Sequence, residues 1–326
     1  MSGKENKINK IKIIGALIFT LIFFSLFEII SKKIELNSIT LTGTRFFFGG
    51  LLILLLFFKS IIQELSFISL TQKIMLILTG FLNVGIAMLS LQFAVKFGNA
   101  TTSAIIISSN PVFVFIINTI MEKFSSKNKV NENLKTDNFV SFIIRLILLL
   151  IGVLGIFIVI YKKDKGDNSI SILLAILASI SFALYTILSK KLLKHVSSVT
   201  LNSISFTFNG LLLLILSFIM AKNEIQMFFY NINIEKIIYL SILSFGVTGF
   251  AYITYFYALK HLDAVKVSLV FYLKPIVVLI LNTIILFEPV GLNKIMGIII
   301  ILISLLVYLN LGTFKKFLKN LSKNRD

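Results

Sequence analysis

The sequence predicts an all-α membrane protein whose ten transmembrane helices form two inverted five-helix repeats. Three observations carry that prediction. First, residues 38–58 align without a gap on residues 198–218 with 11 of 21 positions identical, and residues 81–120 align on 245–284 with 12 of 40 identical. Second, apolar stretches long enough to cross a hydrocarbon layer of about 30 Å as helices recur along the whole chain. Third, each copy holds five of them. After an odd number of crossings the second copy must enter the bilayer in the opposite sense, the architecture typical of secondary transporters.

In chain order, the first copy places its spans at 12–31, 39–58, 73–95, 100–121 and 139–161. The second places them at 170–189, 199–220, 237–259, 264–287 and 293–312. The repeats therefore run over 13–161 and 170–312, with basic tails at 1–12 and 313–326. Helices satisfy their own backbone in lipid and open strands do not, so every span is helical. The basic start and apolar stretch of the first 31 residues resemble a signal peptide. The stretch is long and no small-x-small cleavage site follows, so it reads as a retained first span. The longest polar stretch between spans, residues 122–138, is too short to fold into a catalytic domain.

The composition excludes a soluble globule: 57% of residues are hydrophobic and the mean hydropathy is +0.97. A net charge of +18 invites a nucleic-acid reading, but the charge follows topology instead. With the N-terminus inside, the cytoplasmic segments hold 20 Lys and Arg and the outer loops hold 9. That bias places both termini in the cytoplasm. The excess also attracts anionic lipid headgroups, and membrane lipid rather than nucleic acid is the expected partner. Cysteine is absent, which excludes disulfides and thiolate chemistry. The two histidines, His195 and His261, fall in loops with no metal spacing around them, and no phosphate-binding loop is present. No cofactor is expected, and energy would come from a gradient of protons or another coupling ion.

Candidate site residues follow from depth. Pro111 and Pro275, at matching positions near the middle of spans four and nine, each remove a backbone N–H and free a carbonyl four residues earlier, at Ile107 and Phe271. Such breaks are tolerated where helices line a cavity. Each follows a polar residue, Asn110 in one copy and Lys274 in the other. Lys274 lies near the bilayer centre, where a charge costs at least ~2.5–3.5 kcal/mol. It reads as an anchor for a substrate anion, as half of a buried ion pair, or as a neutral amine held by carbonyls. Arg45, a third of the way into span two, is either a substrate contact or a helix-to-helix brace with Glu28 as partner. Glu28, close to the outer end of span one, is either a proton-coupling carboxylate or that pairing group. Asn83 and Tyr252, near mid-depth in spans three and eight, read as cavity walls. The matched glycines Gly85 and Gly249 read as close-packing positions, and the 32 Phe residues as lipid-facing and core filling.

The motifs resemble the EamA family of the drug/metabolite transporter superfamily over nearly the whole chain. Arg45-Phe46 is similar to the Arg-Phe of its second helix. Ala94-Val95-Lys96 and Ala258-Leu259-Lys260 are similar to the segment closing its third helix. Pro111 and Pro275 match its fourth-helix proline, and Glu122 and Phe287-Glu288 the acidic residue that ends it. The Trp-Gly of the first helix is missing, and residues 124–138 form an insertion. The resemblance implies a multi-pass carrier of the bacterial inner membrane, often an exporter, for small metabolites including amino acids. The abundance of Lys, Ile and Asn agrees with a bacterial source.

The expectation is thus a non-enzymatic secondary transporter for small polar metabolites such as amino acids. It would work by alternating access around a cavity lined by spans three, four, eight and nine, with its oligomeric state open. The alternatives are a proton-coupled exporter of lipophilic cations that uses Glu28, a membrane-embedded enzyme or lipid-handling protein, and a channel.

Overall fold

A computed structural model describes residues 2–98, 100–125, 135–160, 168–286 and 292–311, all helical apart from short connections, with no strand among them. The first half comprises α1 (Ser2–Lys33), α2 (Ser38–Leu56), α3 (Phe58–Phe67), α4 (Leu70–Gly80), a π-helical segment π1 (Phe81–Met88), α5 (Leu89–Phe97), α6 (Ala100–Ser108), α7 (Asn110–Ser125) and α8 (Lys135–Ile160). The second comprises α9 (Ser169–Leu192), α10 (Ser198–Met220), α11 (Lys222–Tyr230), α12 (Ile234–Ser241), π2 (Ile242–Phe250), α13 (Ala251–His261), α14 (Ala264–Ser268), α15 (Val270–Leu286) and α16 (Leu292–Leu309). Among the described residues, eight helical stretches are long and apolar enough to cross a membrane. Two shorter apolar helices, Phe142–Ile158 and Ile295–Leu309, lie within α8 and α16.

Polar caps set where the spans begin. The Asn37 side chain accepts from Thr40 N at 2.8 Å and starts α2. At the matching place Ser197 accepts from Thr200 N and starts α10. Asn168 and Asn233 do the same for α9 and α12. Each cap satisfies a backbone N–H that the first helical turn leaves without a partner.

The most extensive packing joins α2 to its repeat mate α10. A Cβ added at Gly43 would press on Leu213 and Leu214, one at Gly50 on Thr207, and one at Gly210 on the backbone of Phe47. The Thr40 hydroxyl meets that of Ser217. As one number rises the other falls, so the two helices cross antiparallel with backbones in contact, which small residues allow. The second most extensive pair, α8 with α16, is also antiparallel. Gly155 faces Gly297, and Gly152 faces Ser304, whose hydroxyl donates to Leu148 O. Helix α1 runs antiparallel to π2 and α13, with Thr20 bonded to Ala251 O at 3.2 Å and to Thr254 at 2.8 Å, and with Lys33 on the Tyr239 hydroxyl at 3.2 Å.

Both ends of this bundle are tied by repeat-related lysines. Lys32 donates to the carbonyls of Val95 (2.9 Å) and Gly98 (2.8 Å), and Lys96 to that of Ile34. Lys190 donates to Leu259, Lys260 (3.1 Å) and Leu262 (2.8 Å), and Lys260 to Val196 (3.4 Å). Lys32 and Lys190 thereby satisfy carbonyls that a helix C-terminus leaves open. Because α1 and α13 are antiparallel, the two ties sit at opposite ends of the bundle.

The stretches after spans two and seven, to which the sequence reading gave no helix, form short amphipathic helices, α3 and α11. Glu64 of α3 accepts from Ser197 N (2.8 Å) and Oγ (3.0 Å), while Glu224 of α11 accepts from Asn37 Nδ2 (3.0 Å). Each glutamate thus seats on the cap of the opposite repeat's second span. The break expected at Pro111 falls just upstream of it, at Ser109 between α6 and α7, whereas the one expected at Pro275 is corrected: Pro275 sits inside α15 and the break lies six residues earlier, at Leu269. Ser108, Ser109 and Ser268 hydroxyls hold the carbonyls of Ala104, Ile106 and Val265 at these points, so side chains help to fix where each helix parts. Helix α1 begins at Ser2, so the basic N-terminal stretch runs as helix into the first span. The C-terminal tail, Phe287-Glu288 and most of the insertion lie outside the described residues.

Candidate functional site

Halfway along spans three and eight, the π-helical segments interrupt regular α-helix at related places. Segments of this kind change the register of side chains along a helix and are frequent at functional sites. They meet α1, α2, α6, α9 and α15 around a cavity of about 30 Å3, room for about two waters at the ~10–15 Å3 each requires. Spans one, two and six line this space together with the expected three, four, eight and nine.

The wall is aromatic and aliphatic. Phe24, Phe27, Phe182 and Phe271 surround it, with Met88, Leu91, Ile107 and Val247 between them. Phe24 stacks on Phe271 (centroids 6.0 Å apart) and meets Tyr252 edge-on at 4.9 Å. Three side chains bring polar atoms to it: Arg45, Lys274 and Tyr252.

Arg45 is 1% exposed. Its guanidinium lies over the Phe27 ring at 4.1 Å and the Phe46 ring at 4.8 Å, a contact favoured by the ring quadrupoles. Nε and Nη1 have no hydrogen-bond partner among the described residues. Tyr252 and Glu28 lie near enough to interact with it electrostatically. Lys274 Nζ is bonded to Glu28 Oε1 in an ion pair fully removed from solvent. The expected Glu28–Arg45 brace is therefore corrected. Arg45 packs on the ring of Phe27, the residue before Glu28, while the α1–α15 contact brings Lys274 to the carboxylate. Of the three readings of Lys274, the buried ion pair is the one present, with Glu28 behind the lysine and not on the cavity wall.

The remaining expected residues stand back from the cavity. Asn110 donates to Ser179 O at 3.0 Å and ties α7 to α9. Asn83, fully buried in π1, lies next to Tyr252. Pro111 and Pro275 are not on the wall. Sequence reasoning missed the four phenylalanines, which nothing in spacing separates from the other 28. It also missed the π-helical segments, for which the matched Gly85 and Gly249 were the only signal. No cluster of metal-ligating side chains occurs among the described residues.

The sequence pattern of the EamA-like transporter family matches this chain twice, over residues 11–161 and 169–310. The chain belongs to the EamA-like transporter family. It is similar to a relative from Clostridium kluyveri, named an uncharacterized transporter, at 30% identity over 89% of this chain and 91% of the other. A second relative, the uncharacterized transporter YoaV of Bacillus subtilis, is 23% identical over 86% and 90% of the two chains. A solved crystal structure superposes with a TM-score of 0.67 at 14% identity, covering 92% of this chain and 96% of the other, which bears on the fold alone. This EamA-like protein is a multi-pass membrane transporter for a small-molecule substrate.

Proposed function

We propose that the protein is a secondary transporter of the bacterial inner membrane that binds small metabolites through an anionic group, amino acids among them, at Arg45. Ten crossings arranged as two inverted halves, 13–161 and 170–312, would alternate access to the central cavity, with both termini cytoplasmic. The antiparallel pairing of α2 with α10 and of α8 with α16 supports that arrangement, and export is the direction the family resemblance implies. The observation that carries the reading is that Arg45, one of the residues lining the cavity, has a buried guanidinium with two donor nitrogens that lack a hydrogen-bond partner. An arginine stays charged in proteins, and a buried charge without partners is costly, so a ligand anion is its natural complement. Tyr252 stands beside it to hydrogen-bond the same group, and Lys274 is held in place by Glu28. With Glu28 so engaged, no free carboxylate lines the cavity among the described residues, which disfavours a lipophilic-cation exporter.

The test is counterflow uptake in proteoliposomes preloaded with pooled metabolites, comparing wild type with Arg45→Gln. Saturable exchange in wild type, reduced about tenfold or more by loss of a charge-assisted contact, is the expected result. Saturable exchange unchanged in Arg45→Gln would remove Arg45 from the site.

A further inference from the structure

We infer, on the Arg45 reading above, that the cavity selects monocarboxylates with apolar bodies over zwitterions of the same size. The charge walled into it is one positive unit. Arg45 and Lys274 reach the cavity, and Glu28, bonded to Lys274, cancels one of them. That cancellation does not depend on where the proton of the pair resides, since a shared or transferred proton leaves its net charge at zero. Arg45 is left uncompensated. A monoanion closes this balance, a zwitterion leaves one positive charge buried, and a cation adds a second. An uncompensated or like charge in a dry site costs several kcal/mol.

The walls supply the second half of the argument. Phe24, Phe27, Phe182 and Phe271 enclose the space beyond the guanidinium and carry no anion, so a substrate ammonium would meet ring faces and the Tyr252 hydroxyl but no negative charge to cancel its own. The one buried carboxylate oxygen nearby without a hydrogen-bond partner, Glu28 Oε2, lies off the wall behind Lys274. An apolar chain or ring fits these walls and gains from leaving water.

Matched compounds test this directly: leucine, its oxo acid 4-methyl-2-oxopentanoate, and the amine 3-methylbutylamine. Counterflow would be measured in proteoliposomes with protein-free vesicles subtracted, because protonated acids cross lipid unaided. The expected result is exchange of the oxo acid about tenfold or more above that of leucine, with no saturable exchange of the amine. Lys274→Gln removes one positive unit and frees Glu28 to receive an ammonium, so the ratio should move toward leucine by about tenfold. The double variant Glu28→Gln/Lys274→Gln restores the single positive charge and should restore the preference for the acid. If Lys274→Gln fails to fold, the double variant, free of the stranded carboxylate, still reads the charge rule. A purely structural pair would lower both compounds together and leave their ratio unchanged, and that outcome overturns the inference. Leucine favoured over its oxo acid in wild type would also overturn it and assign Glu28 to the ammonium. Exchange of other pooled compounds without the acid sinks this inference alone, whereas the absence of exchange with every pool sinks the Arg45 reading with it.

Discussion

The ends and the centre of the bundle treat the internal repeat in opposite ways. At the ends the copies agree: Lys32 and Lys190 both tie down the carbonyls that close the third span of their own repeat, and Glu64 and Glu224 both seat on a cap in the other half. At the centre they part. Arg45 stands where the second copy has Ser205, which donates to Leu76 O at 2.7 Å. Glu28 stands where it has Thr186, bonded to Phe182 O at 2.9 Å and to the Tyr255 hydroxyl at 3.3 Å. Lys274 answers Asn110, bonded to α9. In each pair one copy keeps a neutral side chain that braces helices, and the other carries a charge at or beside the cavity. Among these residues the repeat keeps its symmetry in the ties at the ends and gives it up around the cavity.

Substitutions sharpen that contrast, beginning with the largest effect. Lys274→Met strands the Glu28 carboxylate in a site without solvent and should destabilise by about 3–5 kcal/mol. Adding Glu28→Gln should recover most of the loss. Unfolding of the purified protein in mixed micelles reads both, and a negligible loss in the single variant would mean that the centre is wetter than its burial implies. Gly210→Val comes next. Its Cβ would run into the Phe47 backbone at the α2–α10 crossing, a clash worth about 1–3 kcal/mol or more because the backbone cannot step aside as a side chain can. The same assay checks it, and tolerance would show that the crossing is loose. The smallest effects belong to the ends. Glu64→Ala loses two hydrogen bonds from a half-buried carboxylate and should cost about 1–2 kcal/mol. Glu224→Ala loses one at an exposed site and should cost about 0.5 kcal/mol. Equal losses for the two glutamates would contradict the difference in their surroundings.

Much of the fold was legible because the forces that set it are local. Runs of apolar residues define the spans: span 12–31 appears as Ile11–Lys33, and 199–220 as Ser198–Met220. The repeat matched α2 to α10 as equivalent spans, and the structure shows that they also pack together. What escaped depends on three dimensions. Glu28 was matched to Arg45 by proximity in rank along the spans, but the ring of Phe27 claims Arg45 and the α1–α15 contact delivers Lys274. Asn110 looked like a cavity residue from its depth alone, and depth does not say which way a helix faces. The helix breaks were assigned to the prolines, yet proline only biases the backbone upstream, and serine hydroxyls at Ser109 and Ser268 help to decide where it parts. Helices α3 and α11 escaped because ten or fewer residues lying along an interface carry no spanning signal.

The reciprocal glutamates have a consequence for how such a chain is built. Glu64 and Glu224 lie 160 residues apart, and so do the caps they seat on, Asn37 and Ser197. Residue i of one half meets j of the other while j's counterpart meets i's, which is the signature of an isologous contact between two copies related by a two-fold axis. A half-length chain with one such glutamate and one such cap already carries both sides of its own interface. It could close on a second copy without any new surface, and joining the two ends of that pair in one polypeptide would leave the centre free to diverge.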